Sequence, residues 1–128
     1  MTISVGRTYS VSEAAASVGL SAHTLRWYEQ EGLVDPVERD AAGRRRYQPR
    51  DLEFLVLLTK LRSTGMSVAE MRRYTELVRS GPATVRDRKA LLEAHREHVL
   101  NQIARLRQDL EAVNYKIDMY TSREREES

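Results

Sequence analysis

A stretch of the chain without glycine or proline, residues 85–120, limits most strongly what this sequence can fold into. Apolar or aromatic residues recur within it every seven positions, and all seven heptad core positions between 99 and 120 are apolar or aromatic. This spacing predicts a coiled-coil helix, and about 36 residues at 1.5 Å each would make a rod of roughly 54 Å. The predicted dimerisation residues are Val99, Ile103, Leu106, Leu110, Val113, Ile117 and Tyr120.

A lone amphipathic helix of this length needs something to cover its apolar stripe. Folding back onto the rest of the chain is one solution, but the preceding part is too small to cover the whole rod. Pairing with a second copy is therefore favoured. We expect two domains, residues 1–81 and residues 82–128, with a charged tail from Thr121 to Ser128 that frays.

The first domain opens with signals for two short helices joined by a glycine. Ser10 and Glu13 form a capping box that starts a helix ending near residue 18, and Gly19 favours the left-handed backbone of a helix stop. Ser21 is the candidate N-cap of a second helix, residues 22–30, which Gly32 ends. The pattern predicts a helix-turn-helix.

Positive charge is concentrated just after these helices. The whole chain carries only +2, yet residues 39–50 hold five arginines and one acid, whereas residues 82–128 are neutral. Ala41-Ala42-Gly43 predicts a turn between two short strands, and Arg44, Arg45 and Arg46 follow it. Strand alternation would put Arg44 and Arg46 on one face, with Tyr47 in the core. A basic hairpin of this kind suits a phosphate-binding surface.

Two further helices are predicted before the rod. The first begins near Pro49 and runs to about Ser63; its apolar middle could also be a buried strand, but its length favours a helix. Ser67 and Glu70 make a second capping box for a helix that ends at Gly81-Pro82. Thr84 is the candidate cap of the long helix.

Composition narrows the functional classes. The chain has no cysteine, which excludes disulfides and thiolate chemistry. A signal peptide and an apolar stretch of the roughly 18 residues that span a bilayer are both missing, so we expect a cytoplasmic protein. His95 and His98 lie three residues apart, but a metal site is disfavoured, and no cofactor is expected. We expect no enzyme, because no catalytic motif stands out.

The order and motifs of the chain resemble the MerR family of bacterial transcription regulators. The matching motifs are S-V-S-E-A-A, T-L-R-W-Y-E-Q-E-G-L, G-R-R-R-Y, D-L-E-F-L and L-R-S-T-G-M-S-V-A-E-M. The segment L-L-E-A-H-R-E-H-V-L-N-Q-I-A-R-L resembles the short subgroup that lacks a separate effector domain, some members of which sense electrophiles through a cysteine. This chain departs from that subgroup because it has no cysteine.

The resemblance implies a mainly α fold, in which a winged helix-turn-helix precedes a dimerising coiled coil. It implies a homodimer that binds double-stranded DNA at a pseudo-palindromic promoter site and distorts the DNA for RNA polymerase. Activation versus repression, and the existence and identity of an inducer, stay open. No membrane partner is expected.

The second helix supplies most of the candidate DNA contacts. An arginine such as Arg26 can reach a phosphate or the edge of guanine, although it could instead pair with Glu29 or Glu31. Trp27 and Tyr28 point about 100° apart, so one should pack while the other faces DNA. The candidates from this helix are Ser21, His23, Thr24, Arg26, Trp27 and Tyr28.

The wing and the third helix complete the candidate set. Arg44, Arg45 and Arg46 stand on the predicted hairpin, and the G-x-R-x-Y match makes Arg45 the contact that the resemblance implies. Lys60 and Arg62, near the end of the third helix, also resemble the family's contacts to the DNA backbone.

Three other classes of function compete with a promoter regulator. An architectural or recombination accessory protein would bend DNA without regulating a promoter. A coiled-coil adaptor would pair with another protein and ignore DNA. An enzyme is the third and is disfavoured for want of a catalytic motif.

Overall fold

A computed structural model describes residues 7–34 and 38–128 of the chain, and the described residues are mainly helical. The chain divides into two compact units, Met1–Lys89 and Ala90–Ser128. The elements are α1 (Val11–Val18), α2 (Ala22–Gln30), β1 (Glu38–Arg39), β2 (Arg45–Arg46), α3 (Pro49–Ser63), α4 (Val68–Arg79), a 3-10 turn (Pro82–Thr84) and α5 (Val85–Glu127).

Local capping fixes the helix-turn-helix as the sequence predicts. The Ser10 hydroxyl accepts from the Glu13 N–H at 3.2 Å, and the Glu13 carboxylate accepts from the Ser10 N–H at 3.0 Å. That backbone hydrogen bond, helped by Arg7, holds the pKa of Glu13 below its usual value. Gly19 takes a left-handed φ of 75°, and the Ser21 hydroxyl caps α2 through the Thr24 N–H.

The core of the first unit lies among α1 to α4. Buried residues of α3 recur every three positions, which confirms that its apolar run is a helix and not a strand. The buried apolar side chains of α1 to α4 are Ala14, Ala15, Leu25, Tyr28, Leu52, Leu55, Leu58, Leu61, Met71 and Tyr74. Their packing against one another holds α2 in place by its inner face.

The hairpin is short and tied to the rest of its unit. β1 pairs antiparallel with β2, and the Asp40 carboxylate accepts from the N–H groups of Ala42 and Arg44, both at 3.0 Å, to shape the turn. These hydrogen bonds, Arg44 foremost, lower the pKa of Asp40. Tyr47 is fully buried, as predicted, and pairs with the backbone of Tyr9 at 2.7 and 2.8 Å.

Two predicted caps differ from the observed ones. The Ser67 hydroxyl accepts from the Glu70 N–H at 3.1 Å but donates to the Glu70 carboxylate, so only half of the second capping box forms. Thr84 does not cap α5 as predicted. It ends the 3-10 turn, and its hydroxyl donates to the carbonyls of Gly81 and Leu77, because the chain passes from the turn directly into α5.

Helix α5 runs to Glu127, farther than the sequence predicted. The tail from Thr121 was expected to fray, but its arginines and glutamates are good helix formers and continue the helix. Most of the predicted dimerisation residues are exposed in the single chain, Leu106 by 67% and Leu110 by 55%. None of the helices within residues 7–34 and 38–128 is long and apolar enough to cross a bilayer.

Candidate nucleic-acid interface

Helix α2 has a buried face and an open face. Leu25 and Tyr28 lie in the core, whereas His23 and Arg26 are exposed and Trp27 is 37% exposed. The open face is therefore rich in groups that can contact a nucleic acid.

Ser21 and Thr24 have a structural use at the start of α2. The Ser21 hydroxyl accepts from the Thr24 N–H at 3.0 Å, and the two hydroxyls hydrogen-bond each other at 2.9 Å. Ser21 is exposed and Thr24 half-buried, so both remain at the surface while they cap the helix.

Arg26 is free of the acids that the sequence offered as its alternative partners. Glu29 pairs with Arg45, and Glu31 pairs with Arg72 at 2.7 Å. Within the part of the chain that the structure describes, Arg26 makes no ion pair or side-chain hydrogen bond. Its charge is available to an external anion.

The two aromatic residues of α2 divide as predicted, one packed and one open. Their ring centroids are 5.8 Å apart; Tyr28 is buried and Trp27 is not. Burial raises the pKa of Tyr28, and the positive charge of Arg62 acts in the opposite direction. Arg62 of α3 therefore lies near Tyr28, while its guanidinium donates to the Met66 carbonyl at 3.3 Å.

The three wing arginines have three different environments. The Arg44 side chain lies in the turn, outside β2, and is 79% exposed, with Asp40 3.4 Å away. Arg45 places its Nε 2.6 Å from the Glu29 carboxylate. Arg46 donates three hydrogen bonds to Thr8, at 3.0 to 3.1 Å. Alternation within a strand therefore does not relate Arg44 to Arg46.

Glu29 joins the wing to α2, a role that the sequence analysis missed. Its carboxylate is only 11% exposed; it pairs with Arg45 and also accepts from the Tyr47 hydroxyl. Burial and this neighbouring carboxylate strongly raise the pKa of Tyr47. The sequence offers little signal for this role: a glutamate in α2, Glu29, and a tyrosine directly after the wing, Tyr47.

An open cleft of about 370 Å³ lies where α1, α2 and the wing meet. One side is the N-terminus of α1, the positive end of that helix's dipole. The described lining residues are Ser10, Val11, Ser12, Arg26, Arg39, Gly43, Arg44 and Arg45. Four arginines beside a helix N-terminus make this cleft electropositive, and it has the chemistry that binds phosphate.

The remaining candidates lie elsewhere. Lys60 is exposed near the C-terminal end of α3 and does not belong to the described cleft lining. The rings of His95 and His98 are 6.0 Å apart. Across residues 7–34 and 38–128, no group of three or more histidine or acidic side chains is placed to hold a metal ion.

These features define a winged helix-turn-helix DNA-binding domain. The sequence matches the family described as "MerR HTH family regulatory protein" over residues 9–77, and the family described as "MerR, DNA binding" over residues 52–112. The chain belongs to the MerR family of transcription regulators, as its motifs indicated.

Similar proteins cover most of the chain. An HTH-type transcriptional regulator of Haemophilus influenzae is 41% identical over 88% of this chain and 84% of its own. The crystal structure of HiNmlR, a MerR family regulator lacking the sensor domain, bound to promoter DNA, is 40% identical, with a TM-score of 0.82 over 90% of this chain and 91% of that one. A putative MerR family regulator from Listeria monocytogenes is 32% identical, with a TM-score of 0.83 over 88% of this chain and 85% of that one.

Proposed function

We propose that two copies of this chain pair through α5 and bind a pseudo-palindromic promoter site, with each α2 in the major groove and each wing against the adjacent backbone. The convergence of four arginines on one cleft beside the α1 N-terminus carries this proposal: Arg26, Arg39, Arg44 and Arg45. The promoter-DNA complex of a regulator that is 40% identical supports it.

Arg26 and Trp27 are the proposed reading residues of α2. Arg26 has no ion pair within residues 7–34 and 38–128, so its guanidinium can donate two hydrogen bonds to guanine or neutralise a phosphate. Trp27 presents an exposed ring beside it. The inner residues Leu25 and Tyr28 hold the helix in the core while these two face the DNA.

Arg44 is the proposed phosphate contact of the wing. Arg44 is the most exposed of the three wing arginines. Its Nε lies 3.4 Å from the Asp40 carboxylate, which is long for an ion pair. Arg45, which the sequence favoured, also lines the cleft, but its Nε is committed to Glu29. We therefore assign Arg45 two tasks: it fixes the wing to α2 and offers its remaining nitrogens to the backbone of DNA.

The proposed dimer rests on the apolar surface that α5 leaves in water. Leu106, Leu110 and Ile117 are each more than half exposed, at 67%, 55% and 54%. Burying apolar surface stabilises a pair by roughly 25 cal/mol per Å², so a second copy that covers this stripe lowers the free energy substantially. The heptad spacing matches a partner helix of the same kind.

Charges beside the stripe favour an antiparallel pair. Asp109 and Lys116 both occupy the g position of the heptad, and antiparallel helices bring g positions together. In the register that layers Leu110 on Val113 of the partner helix, each Asp109 faces a Lys116 of the other copy, which gives two equivalent ion pairs. A parallel pair would set Asp109 against the partner's Asn114 and form neither of them.

Family membership extends the proposal to the promoter. Such a dimer would bend and untwist the DNA between promoter elements so that RNA polymerase can use them, which exploits the deformability of the duplex. The chain has no cysteine, so a signal that modifies a thiol has no acceptor here.

A mobility-shift titration at graded salt, combined with sedimentation, tests the proposal. We expect a dimer whose affinity for duplex DNA falls steeply as salt rises, because bound arginines release counterions. A chain that stays monomeric and ignores DNA would support the adaptor alternative instead. Footprints that avoid promoter elements would support the architectural alternative.

A further inference from the structure

The four backbone carbonyls that follow α2, those of residues 31–34, all accept hydrogen bonds from side chains of α4. We call residues 31–34 the exit segment of α2. Arg72 donates through Nε to the Glu31 carbonyl at 2.8 Å, and Thr75 donates to the Leu33 carbonyl at 2.9 Å. Arg79 approaches the carbonyls of residues 32 and 34 at 3.5 and 3.3 Å.

The α4 residues involved share one helical face. Positions 72, 75 and 79 are spaced by three and four residues, so their side chains lie above one another on α4. Arg72 makes a second contact, from Nη2 to the Glu31 carboxylate at 2.7 Å, and Thr75 is only 1% exposed. Carbonyls at a helix end lack helical partners, so these side chains decide where the end of α2 sits.

The far end of α4 is fixed just as tightly to the first turn of α5. Thr84 donates to the Gly81 carbonyl at 2.9 Å. Arg88 donates through Nη2 to the same carbonyl at 2.6 Å and through Nε to the Thr84 hydroxyl at 2.9 Å. All of these residues belong to the unit Met1–Lys89. Hydrogen bonds therefore run from the exit segment through α4 to the start of α5.

We propose that Arg72 and Thr75 are positioning residues for DNA recognition: they hold the exit segment so that the angle of α2 follows α4. The proposal rests on the proposed function, in which α2 reads the major groove. A partner or ligand that moved the first turn of α5 would then re-aim α2 through α4. Neither residue needs to touch DNA for this effect.

The test compares Arg72→Gln with Arg73→Gln, a neighbouring exposed arginine on the same helix with the same charge change. The probes are a duplex that the wild-type chain selects from a randomised pool and a scrambled duplex. Arg72→Gln should weaken binding to the selected duplex about tenfold, as expected when charge-assisted hydrogen bonds are lost. The affinity of Arg72→Gln for the scrambled duplex should stay near the wild-type value. The Arg73→Gln variant should bind both duplexes about as well as the wild-type chain.

A purely stabilising role for Arg72 would lower both affinities in proportion, and that result would overturn the proposal. Thr75→Val keeps the side-chain shape. It should reduce the ratio of the affinity for the selected duplex to the affinity for the scrambled duplex, but less than Arg72→Gln does. Amide hydrogen exchange without DNA gives an independent readout: the Leu33 N–H should exchange faster in Arg72→Gln than in Arg73→Gln, and equal rates would also overturn the proposal. If the wild-type chain selects no duplex, the proposed function fails, while the exchange rates still decide whether Arg72 holds the exit segment.

Discussion

The two units of this chain differ in the burial of their apolar side chains. In the unit Met1–Lys89, leucines such as Leu52 and Leu55 are fully buried. In the unit Ala90–Ser128, Leu106 and Leu110 are 67% and 55% exposed, although they recur just as regularly along their helix. Leucines at helical spacing thus form a buried core in the first unit and an exposed apolar stripe in the second.

The first unit encloses a core within a single chain, whereas the second leaves an apolar stripe exposed, which the proposed dimer would cover. Short helices at different angles can enclose a core, but one straight helix has no second surface to cover its own stripe. The proposed DNA-reading residues lie in the unit Met1–Lys89. Folding and pairing should therefore be separable by substitution.

Leu110→Asp should have the largest effect, because it buries an unpaired charge in the proposed dimer. We expect a cost of about 3 kcal/mol or more to pairing, roughly a hundredfold, while the first unit stays folded. Sedimentation and circular dichroism measure the two effects. Gln108→Asp, on the outward face of the same helix, is the control; a Leu110→Asp protein that remains dimeric would refute the assignment.

Arg26→Ala should act only on the unit Met1–Lys89. It removes a proposed base or phosphate contact, so affinity for a selected duplex should fall by about 1–3 kcal/mol, with the dimer intact. Titration by fluorescence anisotropy measures the loss. Arg86→Ala, another exposed arginine, controls for net charge, and equal losses in the two variants would contradict the role of Arg26.

Asp109→Lys should weaken an antiparallel dimer by about 1–2 kcal/mol, because two attractive pairs become repulsive. The double variant Asp109→Lys with Lys116→Asp should restore pairing. Dilution series in sedimentation give the dissociation constants. In a parallel dimer neither change would matter much, so an unaltered single variant would exclude the antiparallel register that pairs Asp109 with Lys116.

Arg44→Ala and Arg45→Ala should separate phosphate contact from wing anchoring. Removing Arg44 should reduce the slope of log affinity against log salt by about one and leave thermal stability unchanged. Arg45→Ala should weaken binding to every duplex, flatten the salt dependence and leave the dimer intact. It should also destabilise the wing, because Glu29 loses its cation. Identical melting temperatures for the two variants would show that the Glu29 contact is dispensable.

Tyr47→Phe should have the smallest effect, confined to the stability of the first unit. The pKa of Tyr47 is raised in the folded chain, so the protonated hydroxyl stabilises the fold below the unfolded value of about 10, and this contribution is lost at higher pH. The variant should lose about 1 kcal/mol near neutral pH. Calorimetry should show that the difference in the free energy of unfolding between wild type and Tyr47→Phe shrinks above about pH 10. A difference that stays constant with pH would contradict the raised pKa of Tyr47.

Features governed by neighbouring residues could be predicted from the sequence. The bounds of α1 and α2 follow from Ser10, Gly19 and Ser21, and the turn of the wing follows from Gly43. Helix caps involve residues within three or four positions of each other, so they can be predicted from the sequence alone. Thr84 was wrongly predicted as a cap because a 3-10 turn that leads into a helix carries the same local signal.

The features that the sequence could not supply depend on distant pairs. Glu29 meets Tyr47 across 18 positions, and Arg72 meets Glu31 across 41. No short pattern marks such partners, because tertiary packing chooses them from many acids and bases. This is why the sequence could not show that Arg45 pairs with Glu29, whereas Arg26 has no ion pair in the described part of the chain.

The open stripe on α5 has a consequence for how such a regulator would be controlled in a cell. If both halves of the active species come from the same gene, its amount at low abundance grows with the square of the amount of polypeptide synthesised. Occupancy of the target would then respond more steeply to changes in expression than that of a monomeric binder.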